Sequence, residues 1–200
     1  MYSTKPNLTI AFHGCEKKDQ QRLLSDVSYF KKSQEKYDWL GHGMYFWDSN
    51  EKRAREWAIK KKKAGTLKEP AIIGAVIDLG RCFDLLDSSN IDALKTYYNL
   101  LKIDAENEYK MPQNIDHPKE KGDKVLRYLD CAVIELMHIT MKKNNMTSFD
   151  SIRAAFIEGN PIYPDAGFNE RTHIQICIIN PNCIKGIFLP RKLNTKYQYV

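Results

Sequence analysis

The chain has 200 residues, 42% of them hydrophobic and 28% charged, and a formal net charge of +6. That balance fits one folded domain and excludes a disordered chain. No run approaches the roughly 18 apolar residues of a membrane span, and the polar start Met1 to Leu8 excludes a standard secretion signal, so a cytoplasmic protein with no membrane partner is expected.

Leu8 to Phe12 is apolar and β-branched and predicts a strand that ends at His13-Gly14-Cys15. Residues 16–30, with Leu23, Leu24, Val27 and Phe30 at near-helical spacing, predict a helix. Charged residues 31–38 predict a loop, and Trp39 to Trp47 a strand bent at Gly41 and Gly43. Asp48-Ser49-Asn50 then offers caps for a helix running to about Lys63, with Ala54, Trp57 and Ala58 on its apolar face. After a turn at 65–70, Ala71 to Leu79 predicts a strong strand. Gly80 to Asp84 leads to a helix around 90–102. Residues 103–123, polar with Pro112, Pro118 and Gly122, predict an exposed loop or insertion. Val125 to Lys142 predicts an amphipathic helix, Phe149 to Glu158 a shorter one, and 159–169 a Pro/Gly loop. His173 to Ile179 and Ile184 to Pro190 predict two strands joined by Asn180-Pro181-Asn182. Strands at both ends with helices between them make an α+β domain over 1–200.

Charge and cysteines narrow the chemistry. Residues 1–68 carry 15 Lys and Arg against 8 Asp and Glu, including Lys60 to Lys63, whereas residues 69–200 carry 16 against 17. The basic part either attracts phosphates or is a solvated helix end. Cys15, Cys82, Cys131, Cys177 and Cys183 are odd in number and lack a CxxC pair, which argues against disulfides and structural zinc. No metal is expected, because His117 and His138 lack partners at ligand spacing. Walker A, HExxH and GxSxG sequences are absent.

Three segments in order carry a more specific signal: Phe12-His13-Gly14 closing a strand, Leu40-Gly41-His42-Gly43-Met44-Tyr45-Phe46 before a capped helix, and Glu170-Arg171-Thr172-His173-Ile174-Gln175 opening a late strand. In these the chain resembles the ADP-ribosyltransferases of the diphtheria-toxin and poly-ADP-ribose-polymerase branch. Tyr37 to Trp47 is similar to bacterial and phage-borne domains of that superfamily, toxin components among them. The resemblance implies a split β-sandwich with flanking helices, NAD⁺ as co-substrate, and His13, Tyr45 and Gln175 as the triad. It further implies that His13 bonds a ribose hydroxyl, Gly14 offers backbone groups to the nicotinamide carboxamide, and Tyr45 stacks on the ring beyond the bend at Gly43. Trp57 either stacks from the other side or is helix core. Asp38 and His42 touch the adenosine half or cap the turn.

The third segment departs from the family pattern. A Glu is usual where Gln175 stands, and an amide can accept a hydrogen bond but cannot offset developing positive charge or take a proton. Either the charge is supplied by Glu170, from a region that faces the acceptor in this superfamily, or by the substrate, or catalysis is weak or altered. The implied function is mono-ADP-ribosyl transfer to a macromolecule, nucleic acid favoured over protein, by a toxin or defence effector with its own antitoxin or inhibitor. The alternatives are NAD⁺ glycohydrolysis and an inactive fold that binds nucleotide or RNA.

Overall fold

The computed structural model describes residues 8–108, 110–118, 122–192 and 194–198. Strands β1 (Thr9–Glu16), β2 (Met44–Asp48), β3 (Pro70–Ile77), β4 (Cys82–Asp84), β7 (Ser151–Phe156), β8 (His173–Ile178) and β9 (Ile184–Phe188) form one sheet, ordered β4-β7-β8-β2-β1-β3-β9. Its pairings are antiparallel except β4 with β7. A second, two-stranded ribbon joins β5 (Asn114–Ile115) to β6 (Leu126–Arg127). Helices α1 (Lys17–Ser25), α2 (Glu51–Lys63), α3 (Ser88–Glu108) and α4 (Tyr128–Lys143) complete a mixed α+β fold.

The pleat sorts side chains between two faces. Phe46, Ile73, Ala75, Ile77, Ile176 and Ile178 pack on one face with Leu23 of α1 and Cys183. The opposite face is divided. Over β1 and β3, Trp47 and Ile72 meet Ala54 and Ala58 of α2. Over β8 and β7, Cys177, Ile152 and Ala154 meet Ile134, Met137 and Met141 of α4. Each large apolar side chain fully buried in these clusters contributes roughly 1.5–3 kcal/mol. All five cysteines are buried free thiols, and among the described residues no helix is long and apolar enough to cross a membrane.

Local signals explain α2. The Asn50 side chain accepts from the Arg53 N–H, and Lys60 to Lys63 sit at the negative end of the helix dipole. Elsewhere the fold corrects the pattern reading. The expected helix at 149–158 is strand β7, because six residues from Ser151 to Phe156 find partners on β8 and three of them on β4. Pairing across the sheet overrides the local period there. The expected bent strand from Trp39 begins only at Met44, and 39–43 is a turn. The first helix ends at Ser25 and a single 3-10 turn, Val27–Tyr29, follows. Cys82–Asp84 is a short strand rather than a lead-in. Of the polar stretch 103–123, residues up to Glu108 extend α3 and 114–115 form half of the ribbon, while 109 and 119–121 lie outside the described residues.

Candidate functional site

The site starts where two neighbouring strands separate. β1 pairs with β3 along its whole length, from Thr9–Ile77 to Glu16–Pro70, but with β2 only at Ala11–Asp48 and Phe12–Trp47. Beyond Phe12 the two strands part. The Lys17 N–H donates to the Glu69 carbonyl opposite it, at 2.8 Å. Directly bonded pairs alternate along an antiparallel ladder, so the Gly14–Ile72 pair turns its polar groups outward. The Gln20 amide takes the Ile72 carbonyl, at 2.7 Å. The N–H and C=O of Gly14 therefore face the parting.

His13 fills the parting from the other side of the pleat. Its Nδ1 lies 2.7 Å from the Tyr45 carbonyl oxygen. A carbonyl can only accept, so Nδ1 carries the proton and Nε2 is left as an acceptor. The ring leans on Phe46, with centroids 5.6 Å apart. Burial pulls its pKa below the usual value, against the opposing pull of that hydrogen bond and of Asp19. A small, open pocket of about 100 Å³ lies beside it, lined by His13, Cys15, Asp19, Arg22, Leu23, Tyr29, Lys31 and Met44. Arg22, Tyr29 and Lys31 were not singled out in the sequence, although Arg22 and Lys31 belong to its basic part.

Gly14, Tyr45 and Gln175 belong to the opposite face. The Tyr45 hydroxyl donates to the Gly41 carbonyl at 2.6 Å and accepts from the Leu40 N–H at 2.7 Å. Burial pushes its pKa up, so it stays a neutral phenol. Gly41 has φ +72, and a Cβ on Gly43 would come within 2.4 Å of Cys177 Sγ and 2.7 Å of the Ile178 carbonyl oxygen. The turn that holds the phenol thus needs the first glycine for its backbone and the second for its closeness to β8. Gly14 is needed for packing as well, since a Cβ there would sit 2.7 Å from the Ala54 carbonyl oxygen and 3.1 Å from the Trp57 ring. Trp57 is half-buried, with its ring centroid 5.9 Å from that of Trp47. Gln175 is buried between Trp47 of β2 and Ala154 of β7.

Other expected residues lie apart. Asp38 accepts from the Ser33 hydroxyl at 2.8 Å and from the Glu35 N–H at 3.0 Å, which is a turn-capping role. His42 pairs with Glu135 of α4, Nδ1 to Oε2 at 3.2 Å. Glu170 is exposed in the loop before β8, where its carboxylate accepts from the Asn160 N–H at 3.3 Å. It is not brought together with Gln175.

A buried carboxylate stands instead beyond the end of β7. Glu158, just past the end of β7, is 8% exposed. Its Oε2 lies 3.0 Å from Arg53 of α2 and 3.5 Å from Nδ1 of His173. Burial raises its pKa, against the pull of Arg53, Arg171 and Lys60. His173 donates from Nδ1 to the Arg171 carbonyl at 2.6 Å. Burial holds the ring neutral, with a pKa lowered to about 4, and its Nε2 has no hydrogen-bond partner among the described residues. Arg53 also binds Glu56 at 2.8 Å, so it is not part of an open basic face. No local motif marks this corner, because Arg53 and Glu158 are 105 residues apart.

Comparison with family models, with curated proteins and with solved structures found no match to this chain.

Proposed function

We infer that the protein cleaves NAD⁺ at the nicotinamide–ribose bond and transfers ADP-ribose to a macromolecular acceptor. The observation that carries this reading is the parting of β1 from β2. It brings the acceptor Nε2 of His13, the outward-facing N–H and C=O of Gly14, and a pocket with two cations into one place. These groups match the parts of a dinucleotide. A ribose hydroxyl donates to His13. A carboxamide pairs with the two backbone groups of Gly14, as peptide groups do in a ladder. Arg22 and Lys31 face the diphosphate. On the opposite face the Trp57 ring packs beside Gly14, and in this reading the Tyr45 ring stacks on nicotinamide while the Gln175 amide hydrogen-bonds a ribose hydroxyl. The parting of two strands within a mostly antiparallel sheet supports the split sandwich that the sequence resemblance implies.

Nucleic acid is the favoured acceptor, through the lysines that end α2. The test is incubation with NAD⁺ labelled on the ADP-ribose, in cell lysate, followed by separate nuclease and protease digestion. Label in macromolecules that is lost to nuclease supports the full reading. Label lost to protease reassigns the acceptor. Free ADP-ribose with no labelled macromolecule identifies water as the acceptor. Absence of both label and released nicotinamide refutes NAD⁺ chemistry, and calorimetry with NAD⁺ then distinguishes a binding module from an unrelated protein.

A further inference from the structure

Helix α4 carries a second stripe besides the one that meets the sheet. Ile134, Met137 and Met141 pack into the core, while Tyr128, Cys131, Ala132 and Glu135 follow one another at helical spacing along another side. The short side chains of Cys131 and Ala132 leave a hollow of about 270 Å³ between Tyr128 and Glu135, lined also by Pro112, Lys36 and His42. We propose that this hollow seats one unpaired base of a single-stranded nucleic acid, whose phosphates run along Lys31, Lys32 and Lys36. The strand's role as acceptor rests on the transfer reading; its binding does not.

The hollow is built before any ligand arrives, because each element around it is fixed. Asn114, on β5 next to the Pro112 segment, accepts from the Leu129 N–H at 2.9 Å and donates to Asp130 at 2.7 Å. The turn at 39–43 is held through Trp39, whose Nε1 donates to the Val125 carbonyl at 2.8 Å. Glu135 holds His42 twice, accepting its backbone N–H at 2.7 Å and facing its Nδ1 at 3.2 Å. With Nδ1 committed, Nε2 is the ring nitrogen left for a ligand. Tyr128 is braced edge-on by Tyr37, with ring centroids 5.7 Å apart. An apolar hollow with a few oriented polar groups is the make-up of a recognition pocket.

Size and charge select the occupant. The volume falls just short of the roughly 300–1,000 Å³ of pockets that enclose a whole small molecule. Such an open hollow suits one ring system attached to something outside it. A base inside a duplex has its edges paired and its faces stacked, so the base must be unpaired.

The lysines supply the path for the rest of the strand. Lys31 lines the pocket beside His13, and Lys36 lines this one. The chain from one to the other spans at most about 18 Å. The Ser33 N–H donates to the Gly43 carbonyl at 2.8 Å, which lays this segment along the turn before Tyr45. Lys31, Lys32 and Lys36 are all exposed. Of the acids in the same segment, Asp38 is turned to the Ser33 hydroxyl and the Glu35 N–H, and only Glu35 is exposed. Cations that lead to an aromatic-walled hollow are the pattern of single-strand binding. The base holds the strand, and the neighbouring nucleotides run toward the parting of β1 and β2.

The experiment measures fluorescence anisotropy of a labelled, mixed-sequence oligonucleotide of about 12 nucleotides, as single-stranded RNA, single-stranded DNA and duplex DNA, first without NAD⁺. At physiological salt, wild type should bind a single strand more tightly than the duplex. Binding of RNA in preference to DNA supports the site, with 2′-hydroxyl contacts added. Ala132→Phe, which fills the hollow, should weaken single-strand binding about 10-fold, the loss of one stacked base, and leave the salt dependence as it was. Lys32→Gln combined with Lys36→Gln should instead lower the slope of log affinity against log salt by about 1.4. With NAD⁺ present, both variants should label the oligonucleotide less, while nicotinamide release without nucleic acid stays at the wild-type rate. Wild-type affinity in Ala132→Phe overturns the proposal, as does equal binding of single strand and duplex. A fall in NAD⁺ affinity in Ala132→Phe, measured by calorimetry, overturns it too, since the hollow then belongs to the dinucleotide. If Ala132→Phe does not fold, an unchanged salt slope in the double lysine variant is enough to overturn it. A wild-type protein that binds the strand but neither binds nor cleaves NAD⁺ refutes the transfer reading and leaves the base pocket standing.

Discussion

The two ends of the candidate site are built from different materials. At the parting of β1 and β2, the working groups are peptide N–H and C=O, a neutral imidazole and a neutral phenol. They are set by glycines and by a backbone ladder that stops early. At the end of β7 and β8, the groups are charged side chains, Arg53, Glu158 and Arg171, drawn from distant parts of the chain. The first end depends on close approach, which is unforgiving of added volume. The second depends on charges that balance one another with little solvent, which is unforgiving of a lost partner or a changed protonation state.

Adding one methyl group should separate the two ends most sharply. Gly14→Ala forces α2 away from β1 at the Ala54 carbonyl, and we expect a loss of about 3 kcal/mol together with loss of NAD⁺ binding. Chemical denaturation and calorimetry measure both, and a variant of normal stability would refute the close-approach account. Next in size is Arg53→Ala, which leaves Glu158 without its cation. The expected cost is about 2 kcal/mol, smaller than for a fully enclosed charge because Glu158 can take up a proton. Its urea midpoint should recover partly on acidification. Tyr45→Phe removes the hydroxyl between Leu40 and Gly41 while keeping the ring, for about 1 to 1.5 kcal/mol. If the phenol serves only as an aromatic surface, transfer should survive this change and fail in Tyr45→Ala.

The smallest effect is on pH dependence. His173 is free to bind a proton near pH 6.5 in the unfolded chain but near 4 in the fold. The unfolded state therefore holds the extra proton between those values, so this residue makes stability rise with pH from about 4 to 6.5. The lowered pKa values of His13 and His138 act in the same direction. Glu158 has a raised folded-state pKa and acts oppositely above the usual carboxyl value, its stabilising effect fading as pH climbs. Glu158→Gln should accordingly steepen the rise in melting temperature from pH 4.5 to 6.5. A slope unchanged from wild type would mean that the carboxyl is not titrating there.

The same contrast governs what could be read without the fold. The positions of His13, Gly14, Gly43 and Tyr45 were legible because each lies within a few residues of a strand end or a glycine-permitted turn, where local pattern and local geometry coincide. Strand β7 was not, since Ser151 to Phe156 has a short, mixed pattern whose conformation is decided by partners on β8 and β4. That error concealed Glu158: on a helix its neighbours would have been Ala154 and Ala155, not His173 and Arg53. Glu170 drew attention in its place because it stands closer to Gln175 in sequence, although the structure leaves it in solvent.

The buried thiols give the molecule a set of internal clocks. Cys15 lies on β1 beyond the parting and borders the pocket beside His13, and its pKa is raised to about 11. Cys177 lies beneath the turn at Gly41 to Gly43, its Sγ 3.7 Å from the Gly41 carbonyl oxygen, and burial raises its pKa further. Neither sulfur reacts readily with an alkylating reagent while it is enclosed and protonated. Modification rates therefore count how often each enclosure loosens. A dinucleotide seated in the parting should slow the labelling of Cys15 strongly and that of Cys177 less, so mass spectrometry of two native residues can time the breathing of the pocket with no introduced probe.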